Sequence, residues 1–252
     1  MSDFADHFSG HATAYQAYRP RYPEALFDWL VAQAPGRGLA LDCGTGSGQA
    51  AVSLAERFTR VIAIDASEAQ ISHAVAHARV EYRVAPAEAP GVTPASVDMV
   101  TVAQAFHWFD ASRFFAAAHA ALRPGGVLAL WAYAAANVAA PVDEIVLDFR
   151  TRIVGPDWPD ERCLVDDSYR AVVIPPSFAE FVAPPFELHA TWVLDEYVGY
   201  IGTWSAVHRH RHRTGDDPVP TLRHALARAW PDAERRRVRW PLSVRVARKV
   251  TT

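Results

Sequence analysis

Five residues stand in an order that could do chemistry: Asp42, Gly44, Gly46, Gly48 and then Asp65. The pattern suits a ligand carrying a sugar and a positive charge. Glycines let a backbone approach a ligand that a Cβ would push away. An acid about 20 residues beyond the first glycine can bind both hydroxyls of a ribose. The spacing Gly44-x-Gly46-x-Gly48 differs from G-x-G-x-x-G, which sets a helix N-terminus against a pyrophosphate. Asp42, two residues ahead of the first glycine, would repel a phosphate and suit an ammonium group.

Two other constellations carry reactive types. In Gln104-Ala105-Phe106-His107-Trp108-Phe109, His107 is a candidate base, a polar group that orients a substrate, or a hydrogen-bonded wall residue. The run His208-Arg209-His210-Arg211-His212-Arg213 alternates histidine and arginine. On a helix, His208 and His212 would share a face, as zinc ligands do. The interleaved arginines and the lack of a carboxylate or cysteine make a solvated helix end the expected state, and no metal is expected. A positive rim for an acidic substrate is the alternative. The two cysteines, Cys43 and Cys163, show neither metal-ligand spacing nor a disulfide framework.

Regular elements must position these groups. Leu39 to Asp42 reads as a first strand, Gln49 to Phe58 as a helix and Val61 to Asp65 as a second strand. Pro23 opens a helix over Glu24 to Gln33. Ser67 caps a helix expected to reach about Ala78, with Ile71, Ala74, Val75 and Ala78 at helical spacing. Strands follow at Val80 to Val84, Val97 to Ala103 and Val127 to Tyr133, with a helix from Ser112 to Leu122 capped by Ser112 or Asp110. This alternation predicts an α/β fold: a Rossmann-like, doubly wound, seven-stranded sheet, mostly parallel with the last strand antiparallel, and helices on both faces. Beyond it, Val142 to Val154 reads as a helix and Phe186 to Val193 as a strand. Asp195 would cap a helix to about Val207, Pro220 to Trp230 makes another, and Arg237 to Val250 is a final strand. Residues 1–252 are expected to form one domain. Its binding core spans about 23–133, a lid about 141–185, and C-terminal strands and pocket helices about 186–250.

The 252 residues are half hydrophobic, so a large core is available, and the formal charge is only -3. That balance shows no basic excess of the kind a nucleic-acid binder usually carries. Met1 to Ala12 has no apolar signal core. The uncharged stretch Pro124 to Val142 is long enough to span a bilayer but only weakly apolar, so a buried strand and loop explain it better. A soluble, cytoplasmic protein is expected, with no membrane partner.

The glycine turn, with both strands, the helix and Asp65 in place, resembles that of the class I S-adenosylmethionine-dependent methyltransferases. Val97-Asp98-Met99-Val100 matches their fourth-strand motif, and Leu122-Arg123-Pro124-Gly125-Gly126 matches the turn before their fifth strand. The resemblance implies S-adenosylmethionine as cofactor, its methionine end at Asp42, Gly44, Thr45, Gly46 and Gly48, and its ribose at Asp65 and Ala66. Pro86 stands where the family often has Asp, so the adenine contacts fall to Glu88 and the Ala87 amide. Tyr15, Tyr18, Arg19, Pro20, Tyr22 and Pro23, together with Gln104 to Phe109, are similar to the small-molecule branch that includes trans-aconitate methyltransferase-like enzymes. By that likeness Arg19 pairs with the cofactor carboxylate and Tyr15 closes over the sulfonium. Gln104 joins the cofactor set, His107 and Trp108 act at the reaction centre, and Trp108 and Trp204 line the acceptor pocket. The function implied is methyl transfer by in-line displacement to a small organic acceptor, with a carboxylic acid as one candidate. The alternatives are a nucleic-acid or protein methyltransferase, and a nucleotide-binding module that transfers nothing.

Overall fold

The computed structural model describes residues 20–250. Eight strands form the sheet: β1 (Leu39–Cys43), β2 (Arg60–Asp65), β3 (Val80–Val84), β4 (Val97–Ala103), β5 (Leu122–Ala132), β6 (Phe178–Phe181), β7 (Phe186–Trp192) and β8 (Arg236–Lys249). Seven of them lie in the order β3-β2-β1-β4-β5-β8-β6, and β7 pairs with β8 off that path. The first five strands are parallel, and β8 runs antiparallel to β5. The seven expected strands are all present, and the short β6 is an addition to them. β7 pairs with the leading half of β8, from Phe186↔Leu242 to Trp192↔Arg236.

Alternation along the strands builds two cores, because successive side chains point to opposite faces. On one face Ala40, Val127, Ala129 and Trp131 pack under α1 (Glu24–Gln33) and α2 (Gln49–Ala55). On the other Leu41, Leu128 and Leu130 pack under α4 (Ala111–Ala121) through Phe114, Phe115 and Ala118. Asp110 rather than Ser112 caps α4, accepting from the Arg113 amide at 3.1 Å. At the amino end of β4, the buried Asp98 accepts from the Gly38 and Leu39 amides at 2.8 and 2.9 Å and meets Arg123 at 2.8 Å. The fourth-strand motif and the turn motif are thus knotted together at the end of the sheet away from the glycine turn.

Several elements depart from the sequence pattern, each for a local reason. After the expected Ser67 cap, α3 runs only from Glu68 to Ser72. None of its residues is buried, so no tertiary face sustains the helix. The chain turns instead, and the Val75 amide donates to the Ser47 carbonyl at 3.0 Å. The helix expected over Val142 to Val154 is α5 (Ala140–Asp148), followed by a wider turn over Phe149–Ile153. Within the expected lid lie the short α6 (Arg162–Asp166) and β6, whose four residues belong to the sheet. One expected helix is two, α7 (Leu194–Gly202) and α8 (Ser205–Thr214). The Thr203 hydroxyl donates to the Tyr200 carbonyl at 2.6 Å where they part. Glu196, not Asp195, closes the start of α7 by accepting from the Val193 amide at 2.8 Å. The last helix, α9, spans Val219–Leu226. Among the described residues no helix is long and apolar enough to cross a membrane.

Candidate functional site

The carboxyl ends of β1 to β5 open onto one cleft of about 1560 Å³. That exceeds the roughly 300 to 1,000 Å³ of an ordinary small-ligand pocket. Its floor is the glycine turn. Gly44 has φ +66°, and a Cβ there would lie 2.4 Å from the Ala105 Cβ. Gly48 has φ +86°, and its Cβ would lie 2.1 Å from the Tyr82 hydroxyl. These two glycines let the turn pack against β3 and the loop after β4. Among the described residues Gly46 leaves the floor bare, since the nearest atom to a Cβ there is Gln70 Oε1 at 3.7 Å.

Asp65 ends β2 in the lining of the cleft. Its Oδ2 accepts from the Gly46 amide at 2.9 Å and its Oδ1 from the Ser67 amide at 2.9 Å. Both bonds fix the carboxylate in place. Asp42 behaves differently. It is fully buried beneath the turn and is absent from the cleft lining. Thr45 and Thr101 hydroxyls donate to its two oxygens at 2.6 and 2.7 Å. Burial pushes its carboxyl up to about 6 against those hydrogen bonds, with the Asp65 charge adding to the rise. Partial burial, with the Asp42 charge adding to it, pushes the Tyr82 phenol up to about 12.

The loop after β3 brings Ala87 and Glu88 to the cleft, and Glu88 Oε1 accepts from the Asp110 amide at 2.8 Å. Gln104 caps β4 in a left-handed conformation, φ +57°. Its side chain bonds both ways to the Tyr133 backbone, Nε2 to the carbonyl at 3.0 Å and the amide to Oε1 at 3.3 Å. The strained residue holds the ends of β4 and β5 in a fixed relation at the cleft wall. His107 and Trp108 follow on a short turn, Phe106–Trp108, and both line the cleft. Burial, with Arg162 nearby, holds the His107 imidazole down to about 3, so the ring is neutral.

The structure therefore brings Gly44, Thr45, Gly46, Gly48, Asp65, Ala66, Ala87, Glu88, Gln104, His107 and Trp108 to one cleft. Trp204 is elsewhere, buried against Trp158 at 5.6 Å and Tyr200 at 6.1 Å between ring centres. Tyr15 and Arg19 lie outside the described residues. The histidine and arginine run is also away from the cleft. His210 and Arg213 both bond to the buried Asp157, at 2.9 Å and at 2.6 and 2.8 Å, and Arg211 pairs with Asp217 at 2.9 Å. Among the described residues no group of three or more His, Cys, Asp or Glu is placed to hold a metal. Sequence reasoning missed Tyr133, Arg113 and Glu161 in the lining. Tyr133 directly follows β5, a position where open sheets place ligands, and that signal was readable. Glu161 comes from an aperiodic stretch that offers none.

Comparison with known proteins adds an independent finding. A family model described as a methyltransferase domain matches residues 41–130. A candidate methyltransferase of Dictyostelium discoideum is 32% identical over 231 residues, covering 90% of this chain and 87% of its own. A candidate S-adenosylmethionine-dependent methyltransferase of Saccharomyces cerevisiae is 34% identical over 128 residues, 47% of this chain and 44% of its own. A solved structure of a candidate type II methyltransferase from Anaeromyxobacter dehalogenans is 48% identical, with a TM-score of 0.86 over 93% of this chain and all of that one.

Proposed function

Because this chain belongs to the class I S-adenosylmethionine-dependent methyltransferases, with S-adenosylmethionine as its cofactor, we propose that it methylates a small organic acceptor held in the same cleft. The observation that carries this reading is the size of the cleft, about 1560 Å³, with the glycine turn at one wall and His107 and Trp108 at another. The cofactor supplies a methyl group on a sulfonium, open to in-line displacement. The residues fit such a group: Gly46 leaves bare floor, and Asp65 stands fixed beside it. In this reading Asp65 and Ala66 take the ribose, and Glu88 and Ala87 take the adenine. The turn from Gly44 to Gly48 takes the methionine end, with Gln104 beside it. Asp42 acts from below, holding Thr45 and so the shape of the turn. His107 and Trp108 orient the acceptor, and alignment alone can supply several kcal/mol.

The charges of the lining favour a small molecule over a polyanion. Glu24, Glu56, Asp65, Glu88, Asp110 and Glu161 face the cleft against Arg21 and Arg113. A nucleic acid would meet repulsion there rather than the phosphate-pairing cations it needs. An acidic acceptor would rely on Arg21 or Arg113, since Arg211 and Arg213 are engaged elsewhere.

The test is a transfer assay with methyl-labelled cofactor against carboxylates, phenols, amines and RNA. Label should move to a small acceptor, and Trp108→Ala should lower turnover while sparing adenosylhomocysteine affinity. Salt-sensitive labelling of RNA with no small acceptor active would overturn the reading.

A further inference from the structure

Behind His107 stands a residue to which the cofactor pattern gives no role. Tyr169 is fully buried, and its hydroxyl lies 3.2 Å from His107 Nδ1. It is held there at a conformational cost. Ser168 and Tyr169 have φ of +60° and +57°, a left-handed pair without glycine. The surroundings over-determine this shape. The Tyr169 amide donates to the Leu164 carbonyl at 2.8 Å, and Arg245 of β8 donates to the carbonyls of Tyr169 and Val172. The ring packs on Phe106 with centres 5.7 Å apart.

The hydrogen between Tyr169 and His107 has one satisfactory place. The phenol has no other acceptor among the described residues, so an Nδ1–H donor would leave the phenolic hydrogen buried without a partner. Donation from the phenol to Nδ1 leaves nothing unsatisfied. A neutral imidazole that accepts at Nδ1 carries its hydrogen on Nε2. Burial keeps the ring neutral, as described above. His107 lines the cleft, and its one hydrogen bond to described residues is at Nδ1, which leaves Nε2 for a ligand.

Resting on the methyl-transfer reading, we propose that Tyr169 is a positioning residue that locks His107 as an Nε2–H donor, which binds an oxygen of the methyl acceptor instead of removing its proton. The acceptor then brings its own lone pair to the methyl carbon as the carbon–sulfur bond breaks toward sulfur. No proton passes to His107. This selects acceptors that are already nucleophilic when bound, such as a carboxylate, and that offer an oxygen to the imidazole.

Nitrogen-15 NMR of the imidazoles in the free protein reads the state directly. His107 should show a protonated Nε2 and a bare Nδ1 and stay neutral from about pH 5 to 8, the range in which ordinary histidines titrate. Tyr169→Phe should raise the Nδ1–H form from under roughly a tenth to a comparable share of the population. An Nδ1–H ring in the wild type, or one charged at neutral pH, would overturn the proposal, even if Tyr169→Phe does not fold. In the acceptor panel, His107→Gln keeps a donor near Nε2 and should retain turnover that His107→Ala loses; equal loss in both overturns the donor role. Inactivity of the wild type toward every acceptor, or failure to bind adenosylhomocysteine, would count against methyl transfer and leave the NMR result to judge the Tyr169–His107 pair.

Discussion

Two carboxylates beside the glycine turn do different work, and their surroundings decide which. Asp65 is fixed by two amides in the cleft wall, where the proposed ribose would lie. Replacing it by Ala removes charge-assisted bonds worth about 2 to 4 kcal/mol. Calorimetry should show adenosylhomocysteine binding weakened at least roughly 30-fold, and unchanged affinity would remove Asp65 from the ribose site. Asp42 is a buried brace whose effect is on stability. Its carboxyl ionises near 3.8 when unfolded and near 6 in the fold, so the folded state holds the proton longer. The folded state is therefore favoured by this group below pH 4, and the advantage disappears as pH rises through 6. Over that window the contribution is about 3 kcal/mol. Denaturant titrations of Asp42→Asn should show a flatter stability profile from pH 4 to 6 than the wild type. Parallel profiles would mean the carboxyl is not held protonated.

At the scale of elements, the segment Gly155–Asp157 is tied to α8 by one buried acid. Asp157 is 5% exposed and receives both His210 and Arg213. Its carboxyl is held below the usual range, chiefly by the Arg213 hydrogen bonds. Asp157→Ala should raise amide exchange across residues 155–175 while β1, β2 and β4 keep their protection. Uniform loss of protection would show that the tie supports the whole fold. This joint also marks where the sequence stopped being readable. The five parallel strands, the glycine turn and Asp65 were legible because each is a local pattern of apolar runs, turn residues and a terminal acid. β6 was not, because four residues gain strand geometry only from β8, some 60 residues later. The early end of α3 was hidden too, since Ile71, Ala74 and Val75 repeat at helical spacing without a core to bury them. Trp204 looked like a pocket aromatic because aromatics beside a polar run suit a binding wall. Packing instead places it among Phe149, Trp158 and Tyr200. Tyr169 had no sequence signal at all, because its role depends on a left-handed turn fixed by Arg245.

The whole molecule carries a formal charge of -3, and acids predominate in its cleft. S-adenosylmethionine bears one more positive charge than adenosylhomocysteine, so the field favours the reactant over the product. Raising salt from roughly 0.01 M to 1 M shortens the screening length from about 30 Å to about 3 Å. The ratio of the two affinities should shift toward adenosylhomocysteine across that range, and a constant ratio would show that only short contacts matter. The order in which the sheet is completed has a different kind of consequence. β8 pairs with β5, β6 and β7, and it is translated after all three. About a hundred residues separate the end of β5 from the start of β8. At ribosomal speeds of about 5 to 20 residues per second, the nascent β5 waits roughly 5 to 20 seconds for its neighbour. Its edge is an open template for foreign strands in that interval. The hazard for this chain is wrong pairing during its synthesis, and chaperones that hold nascent chains would be needed most before Arg236 emerges.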